Sequence, residues 1–273
     1  MMHAAFGAER VRRGRDRRGS RFILTLLLGM GVWPVASVGQ SQTPPAPPQV
    51  AMSIIDVKPD AMSEFGALQA EVMAAQRAGG QPWRETWNTA TFGYPYRIAV
   101  LTPVDGLASI DGQTYTVKGV GVAAATAINE RARRMIANQQ IYLLQVRPDL
   151  GIGLRAPGQN ALGVVTYISV APGREPEIEQ MMKTEVNAAL KKAGVSYYGV
   201  SRVVYGGDTS QYITLLLFEN FAALGRGHPL ERVLGADGLA RLQGKLTGVI
   251  TKLERHIVRY NDALSFRPSP SAR

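Results

Sequence analysis

The chain repeats itself, and this constrains its fold more than any other feature of its 273 residues. Val57-Lys58-Pro59-Asp60 overlays Val170-Ala171-Pro172-Gly173 at an offset of 170 − 57 = 113. Each motif follows an apolar run of strand character, MSIIDV or VVTYISV, and each precedes a segment of helical periodicity. In the first copy Met62, Phe65, Leu68 and Val72 recur every three or four positions; in the second Ile178, Met182, Val186, Ala189 and Ala193 do. Asp60 is placed to cap the first helix, and Pro176 suits the first turn of the second. Gly79-Gly80 and Gly194 supply the stops, since glycine accepts the left-handed backbone that ends a helix.

The overlay continues through QPWRETWNTATFG on VSYYGVSRVVYGG and YRIAVLT on YITLLLF, two further strands per copy joined by a tight glycine turn. A second helix follows in each. One runs from Ala123 to Asn138, anchored by Ile128 and Met135; the other carries Leu239, Leu242, Leu246, Val249 and Leu253 at three/four spacing. QIYLLQV and HIVRY close the copies as short strands. The order is β-α-β-β-α-β twice, the split βαβ of a ferredoxin-like unit. Helices cover one face of such a sheet and leave the other apolar face open, so two sheets bury those faces together. The expected fold class is α+β: two tandem ferredoxin-like βαββαβ repeats, residues 50–155 and 156–267, whose sheets pair into an intrachain α/β barrel.

That arrangement, over residues 50–266, resembles the dimeric α/β-barrel superfamily. Its members include antibiotic-biosynthesis-monooxygenase-like, EthD-like, NIPSNAP-like, dye-decolourising-peroxidase and chlorite-dismutase proteins. The resemblance is carried by element order and periodicity, and it bears on the fold rather than on an activity.

The segments outside the repeats have their own character. Residues 1–39 carry seven arginines against Glu9 and Asp16, then the apolar run FILTLLLGMGVW and the small residues Ala36-Ser37-Val38-Gly39. These are the three regions of a secretory signal, with Gly39 and Ser37 at the minus-one and minus-three sites. The alternative is an uncleaved membrane anchor, although the run is short for a span and is broken by Pro34. The expected location is therefore periplasmic or secreted, with no stable membrane span after cleavage. Mass spectrometry of envelope protein is expected to find a mature terminus near Gln40; intact residues 22–39 in a membrane-bound form would contradict this. Residues 40–49 form a proline-rich linker, and residues 268–273 a tail of disordered character.

Composition removes several function classes. The absence of cysteine excludes disulfide scaffolds, thiolate catalysis and cysteine-ligated metal sites. The formal charge of +10 is uneven: residues 1–39 contribute 7 − 2 = +5, so the remainder carries only +5. Lys191-Lys192 and Arg131, Arg133 and Arg134 read as solvated helix flanks, and no nucleic-acid partner is expected. No phosphate loop, dinucleotide fingerprint or nucleophile elbow appears.

The chemically suggestive stretch is Trp83 to Tyr96, WRETWNTATFGYPY. On a strand, Trp83, Glu85 and Trp87 share one face, and a carboxylate between two indoles is a desolvated candidate for a general base. Glu85 is thus the candidate catalytic residue. Trp83, Trp87, Tyr197, Arg202 and His256 are candidate ligand-binding residues for a small apolar or aromatic ligand. The bland reading places Trp83 at a rim and pairs Glu85 with an arginine such as Arg97 or Arg202. In the second copy Glu85 falls on Gly199, so its role is not duplicated. Resemblance to the antibiotic-biosynthesis-monooxygenase branch implies an Asn–Trp partnership in an apolar pocket, yet Asn88 and Trp87 are adjacent and face opposite ways. In haem-binding members a histidine of the later half ligates iron, which would fall to His228 or His256. GADG at 235–238 is one residue short of the peroxidase signature, and neither a cofactor nor a metal is expected.

Two functions remain open. The first is an exported, non-catalytic barrel that binds a small molecule or another envelope component. The alternative is a cofactor-independent monooxygenase- or isomerase-like enzyme with a pocket around Trp83, Glu85 and Trp87. A solvent-reachable cavity containing Glu85 favours the pocket; a filled interior favours the interaction module.

Overall fold

The computed structural model describes residues 48–153, 158 and 161–267. The expected signal segment, most of the proline-rich linker and residues 268–273 lie outside the described residues. Among the described residues there are eight strands: β1 (Gln49–Val57), β2 (Glu85–Thr89), β3 (Arg97–Val104), β4 (Ile136–Val146), β5 (Leu162–Val170), β6 (Tyr198–Tyr205), β7 (Gln211–Phe218) and β8 (Ile250–Tyr260). They form one closed antiparallel barrel in the order β1-β3-β2-β8-β5-β7-β6-β4.

Within that ring each half keeps the ferredoxin-like strand order, β4-β1-β3-β2 and then β8-β5-β7-β6. The halves join at two seams. β2 meets β8 from Trp87↔Tyr260 to Thr89↔Val258, and β4 meets β6 from Leu143↔Tyr205 to Val146↔Ser201. The sheets therefore close edge to edge, and every strand finds two partners, which removes the edges an open sheet would expose.

Alternation along the strands sorts core from lumen. In β1, Ile55 and Val57 point outward and pack with Phe65 and Leu68 of α1 (Met62–Ala78) and Ile128 of α3 (Val122–Met135). Met52 and Ile54 point the other way, into the barrel. In the second half Ile168 and Val170 meet Ile178 of α4 (Glu175–Met181) and Leu190 of α5 (Asn187–Lys192). Each such side chain contributes about 1.5–3 kcal/mol. The remaining helices are α2 (Tyr115–Val120), α6 (Phe221–Gly225) and α7 (Pro229–Leu246).

Several local expectations are corrected. Asp60 caps nothing: a 3-10 turn over Pro59–Ala61 precedes α1, and α1 has no side-chain cap. α3 stops at Met135, and β4 begins at once with Ile136, so Asn138 belongs to a strand. Val249 and Leu253 fit the helical spacing of α7 only by coincidence. The chain reverses at Gly248, whose φ of 74° suits glycine, and Leu253 lies on β8, which begins six residues before the HIVRY segment.

Because both seams lie between halves, residues 50–155 alone would expose the β2 and β4 edges and an apolar inner face. This fragment is expected to self-associate or precipitate. A monodisperse monomer in analytical ultracentrifugation would contradict the closed ring.

Candidate functional site

The β2 alternation sends Glu85, Trp87 and Thr89 inward. With inward residues of the other seven strands they surround a cavity of about 380 Å³. Its waist is apolar, formed by side chains such as Met52, Leu101, Leu144, Val165 and Ile213. Two polar poles lie at opposite ends. Glu85 sits opposite Leu101 on β3, and Arg97 lies four residues further along that strand, so the poles are separated by ~13 Å.

At the first pole, burial pushes the Glu85 carboxyl upward, opposed by Arg267 and by the Trp87 indole. Arg267 pairs with Glu85 Oε1, while Trp87 Nε1 donates to Glu85 Oε2 at 3.3 Å, a long and therefore weak bond. Burial outweighs both. The Trp87 ring is fixed edge-on to Tyr260, with centroids 5.1 Å apart. Tyr197 completes this end; its hydroxyl is pushed upward by burial and by the Glu85 charge. A Cβ on Gly199 would lie 2.6 Å from the Tyr197 hydroxyl, so glycine at that position leaves room for the ring.

The C-terminal segment delivers Arg267. Asn261 N donates to Thr86 O at 2.9 Å, and Arg84 and Phe266 exchange backbone hydrogen bonds of 2.8 and 2.9 Å. Arg84, pointing outward beneath α1, is fully buried. It donates to Gln76 Oε1 at 2.8 Å and to Leu264 O at 3.2 Å, and it also contacts Gln69 and Thr86. These partners are neutral, and burial lowers the guanidinium to about 10, so it stays charged at neutral pH.

At the second pole Arg97 makes a bidentate pair with Asp56 (2.7 and 2.9 Å), which holds Asp56 below the usual carboxylate range. Tyr142 and Tyr167 face the cavity beside it. Burial pushes Tyr167 to about 12 and Tyr142 upward, while the Arg97 charge pulls both down. His256 stands edge-on to Tyr167 at 5.5 Å, and Lys252 pairs with Glu254 at 2.8 Å.

The structure thus brings Glu85, Trp87, Tyr197 and His256 to one cavity. Trp83 precedes β2 and is not part of the cavity wall. Arg202 occupies an even position on β6, opposite in phase to Tyr197, Gly199 and Ser201. It points outward, donating to Thr209 O at 3.1 Å and lying 3.9 Å from Glu175. Neither Arg97 nor Arg202 partners Glu85; Arg267 does. Asn88 faces away from Trp87, and its buried Oδ1 has no partner. Sequence reasoning missed Arg267, Tyr142 and Tyr167. A polar aromatic at an inward strand position is the signal for the two tyrosines; for Arg267 there is none, because an ordinary-looking loop carries it.

His256 lines the polar end of the cavity, edge-on to Tyr167, and together with His228 it borders a second pocket walled by Val164, Leu224 and Ile257. His228 Nδ1 accepts the Leu230 N–H that opens α7, its imidazole lowered to about 4 by burial. Among the described residues no cluster of three His, Cys, Asp or Glu could hold a metal ion, and no helix is long and apolar enough to cross a membrane.

The chain matches no family model and, in sequence, no curated protein. In structure it is similar to a "putative monooxygenase" from Lactobacillus acidophilus (10% identity, TM-score 0.54, 78% of this chain and 94% of that one). A "putative monooxygenase" from Fusobacterium nucleatum is similar at 12% identity and TM-score 0.55, over 82% and 99% of the two chains. An anthrone oxidase-like protein is similar at 9% identity and TM-score 0.58, over 80% and 92%. At these identities the likeness is one of fold: an α+β chain whose eight strands close a ferredoxin-like α/β barrel.

Proposed function

We propose that the protein is an exported small-molecule enzyme of the α/β-barrel type, built from two fused ferredoxin-like repeats, in which Glu85 takes a proton from a ligand held in the barrel. The observation that carries this reading is the unfilled cavity of about 380 Å³ with a desolvated carboxylate on its wall. A module serving only as a scaffold would gain stability from a packed interior. Similarity in fold to two proteins described as monooxygenases and to an anthrone oxidase-like protein supports the same direction.

The chemistry is a proton transfer without a cofactor. A C–H or O–H bond of the ligand breaks, the proton passes to a Glu85 oxygen, and the electron pair stays on the ligand. Returning the proton to a different atom of the ligand completes an isomerisation; dioxygen as co-reactant would make it an oxygenation. Burial makes Glu85 a stronger base than a solvated carboxylate, while Arg267 and the Trp87 N–H keep its ionised form accessible.

The test is solvent deuterium incorporation into a panel of small carbon acids, followed by mass spectrometry. Glu85→Gln is expected to lower the exchange rate of any active compound by at least about 100-fold while leaving its binding within a few fold. Exchange unaffected by Glu85→Gln, or a panel that never perturbs Trp87 emission, would contradict the proposal.

A further inference from the structure

The pole opposite Glu85 supplies the other half of a recognition pattern. Tyr142 and Tyr167 both pack against the interior cluster of Met52, Leu144, Val203 and Ile213, and both line the cavity. The Gln140 side chain, also on the cavity wall, hydrogen-bonds the Tyr142 hydroxyl, and Tyr167 faces the same end of the cavity. Arg97 stands at the same end, and its charge acts on both phenols. The charges there are matched, Arg97 with Asp56 and Lys252 with Glu254, so the phenols stand beside a paired guanidinium. At the far end Glu85 is paired with Arg267.

We infer that the cavity takes an apolar carboxylic acid, its carboxylate held by the Tyr142 and Tyr167 hydroxyls under Arg97 and its body running along the waist toward Trp87 and Glu85. Two hydroxyl donors match an acceptor with two oxygens, and a carboxylate is ionised at neutral pH whereas a simple phenol is not. The pole-to-pole distance of ~13 Å leaves room for a two-ring or medium-chain body between the carboxylate and the carbon that meets Glu85. Burial on both hydroxyls favours their protonated, donating form. This inference rests on the cavity reading above, and it adds the polarity and orientation of the ligand.

The probes are 2-naphthoate, 2-naphthamide and 2-naphthylmethylammonium, titrated into the full chain carrying Trp33→Phe and Trp83→Phe, so that Trp87 is the sole indole. Quenching of Trp87 is expected from all the probes that enter, with naphthoate binding at least about tenfold tighter than the amide and the ammonium weakest. Tyr167→Phe and Tyr142→Phe should each weaken naphthoate about tenfold and leave the amide within about twofold, the retained amide binding showing that the variant is folded. An amide that binds as well as naphthoate, or a preference that survives both tyrosine substitutions, overturns the inference while leaving the cavity reading intact. No quenching by any probe overturns the cavity reading and this one with it.

Discussion

Replacing Arg84 by alanine is expected to cost about 3–5 kcal/mol of stability, the largest effect of any single change considered. The guanidinium is fully buried between β2, α1 and the C-terminal segment. Its removal leaves the Gln69 and Gln76 amide oxygens without this donor, each worth about 1–3 kcal/mol, and opens a void beneath α1, while the Leu264 carbonyl keeps the Thr86 hydroxyl as a donor. Arg84→Lys keeps the charge but cannot reach several acceptors in different directions, so it should fall between wild type and alanine. Urea denaturation checks this: the midpoint should drop with an unchanged slope. A loss below about 1 kcal/mol would show that Arg84 does not tie the C-terminal segment to the barrel.

Arg267→Gln should have the second-largest effect, and its size depends on pH. Without Arg267, Glu85 keeps its burial and loses its cation, at a cost of about 1–3 kcal/mol at neutral pH. The folded-state pKa of Glu85 already lies above its unfolded value, so between the two the folded protein binds more protons. Its contribution to stability is therefore complete below the ordinary glutamate value and is lost as pH rises through the folded one. Arg267→Gln widens that window upward, and Glu85→Gln abolishes it. Asp56, Asp149 and Glu179 are shifted the other way and lose their contribution as pH falls, so the Glu85 effect is read as the difference between wild type and Glu85→Gln. Identical stability profiles for these two proteins would contradict the assignment.

The fold was legible because two periodicities recur at one offset: period two in MSIIDV and VVTYISV, and helical spacing after each. The same offset maps Ile54 onto Tyr167, and both face the lumen. The edge-to-edge closure was not legible, since hydrogen-bonded seams between strands distant in sequence leave no local pattern; β2 and β8 differ by more than 150 positions. The helical reading of Val249 and Leu253 failed because apolar spacing cannot show a reversal at Gly248. At the site, alternation identified Glu85 and Trp87 as neighbours on one face. It also assigned Trp83 to that face, but the strand ladder begins at Glu85 with only a bridge at Arg84 before it. Arg267 became visible only in three dimensions, because Arg84 and Thr86 hold the segment that carries it.

The central claim is that Glu85 is a desolvated carboxylate on the wall of an open cavity, in contact with Trp87. A pH titration of fluorescence in the Trp33→Phe, Trp83→Phe protein tests it most directly, because the indole N–H donates to the group that titrates. The account predicts blue-shifted emission that changes with a midpoint above the ordinary glutamate value, moves higher in Arg267→Gln and disappears in Glu85→Gln. Emission that is red-shifted, or that does not respond to pH in the presence of Glu85, would contradict it.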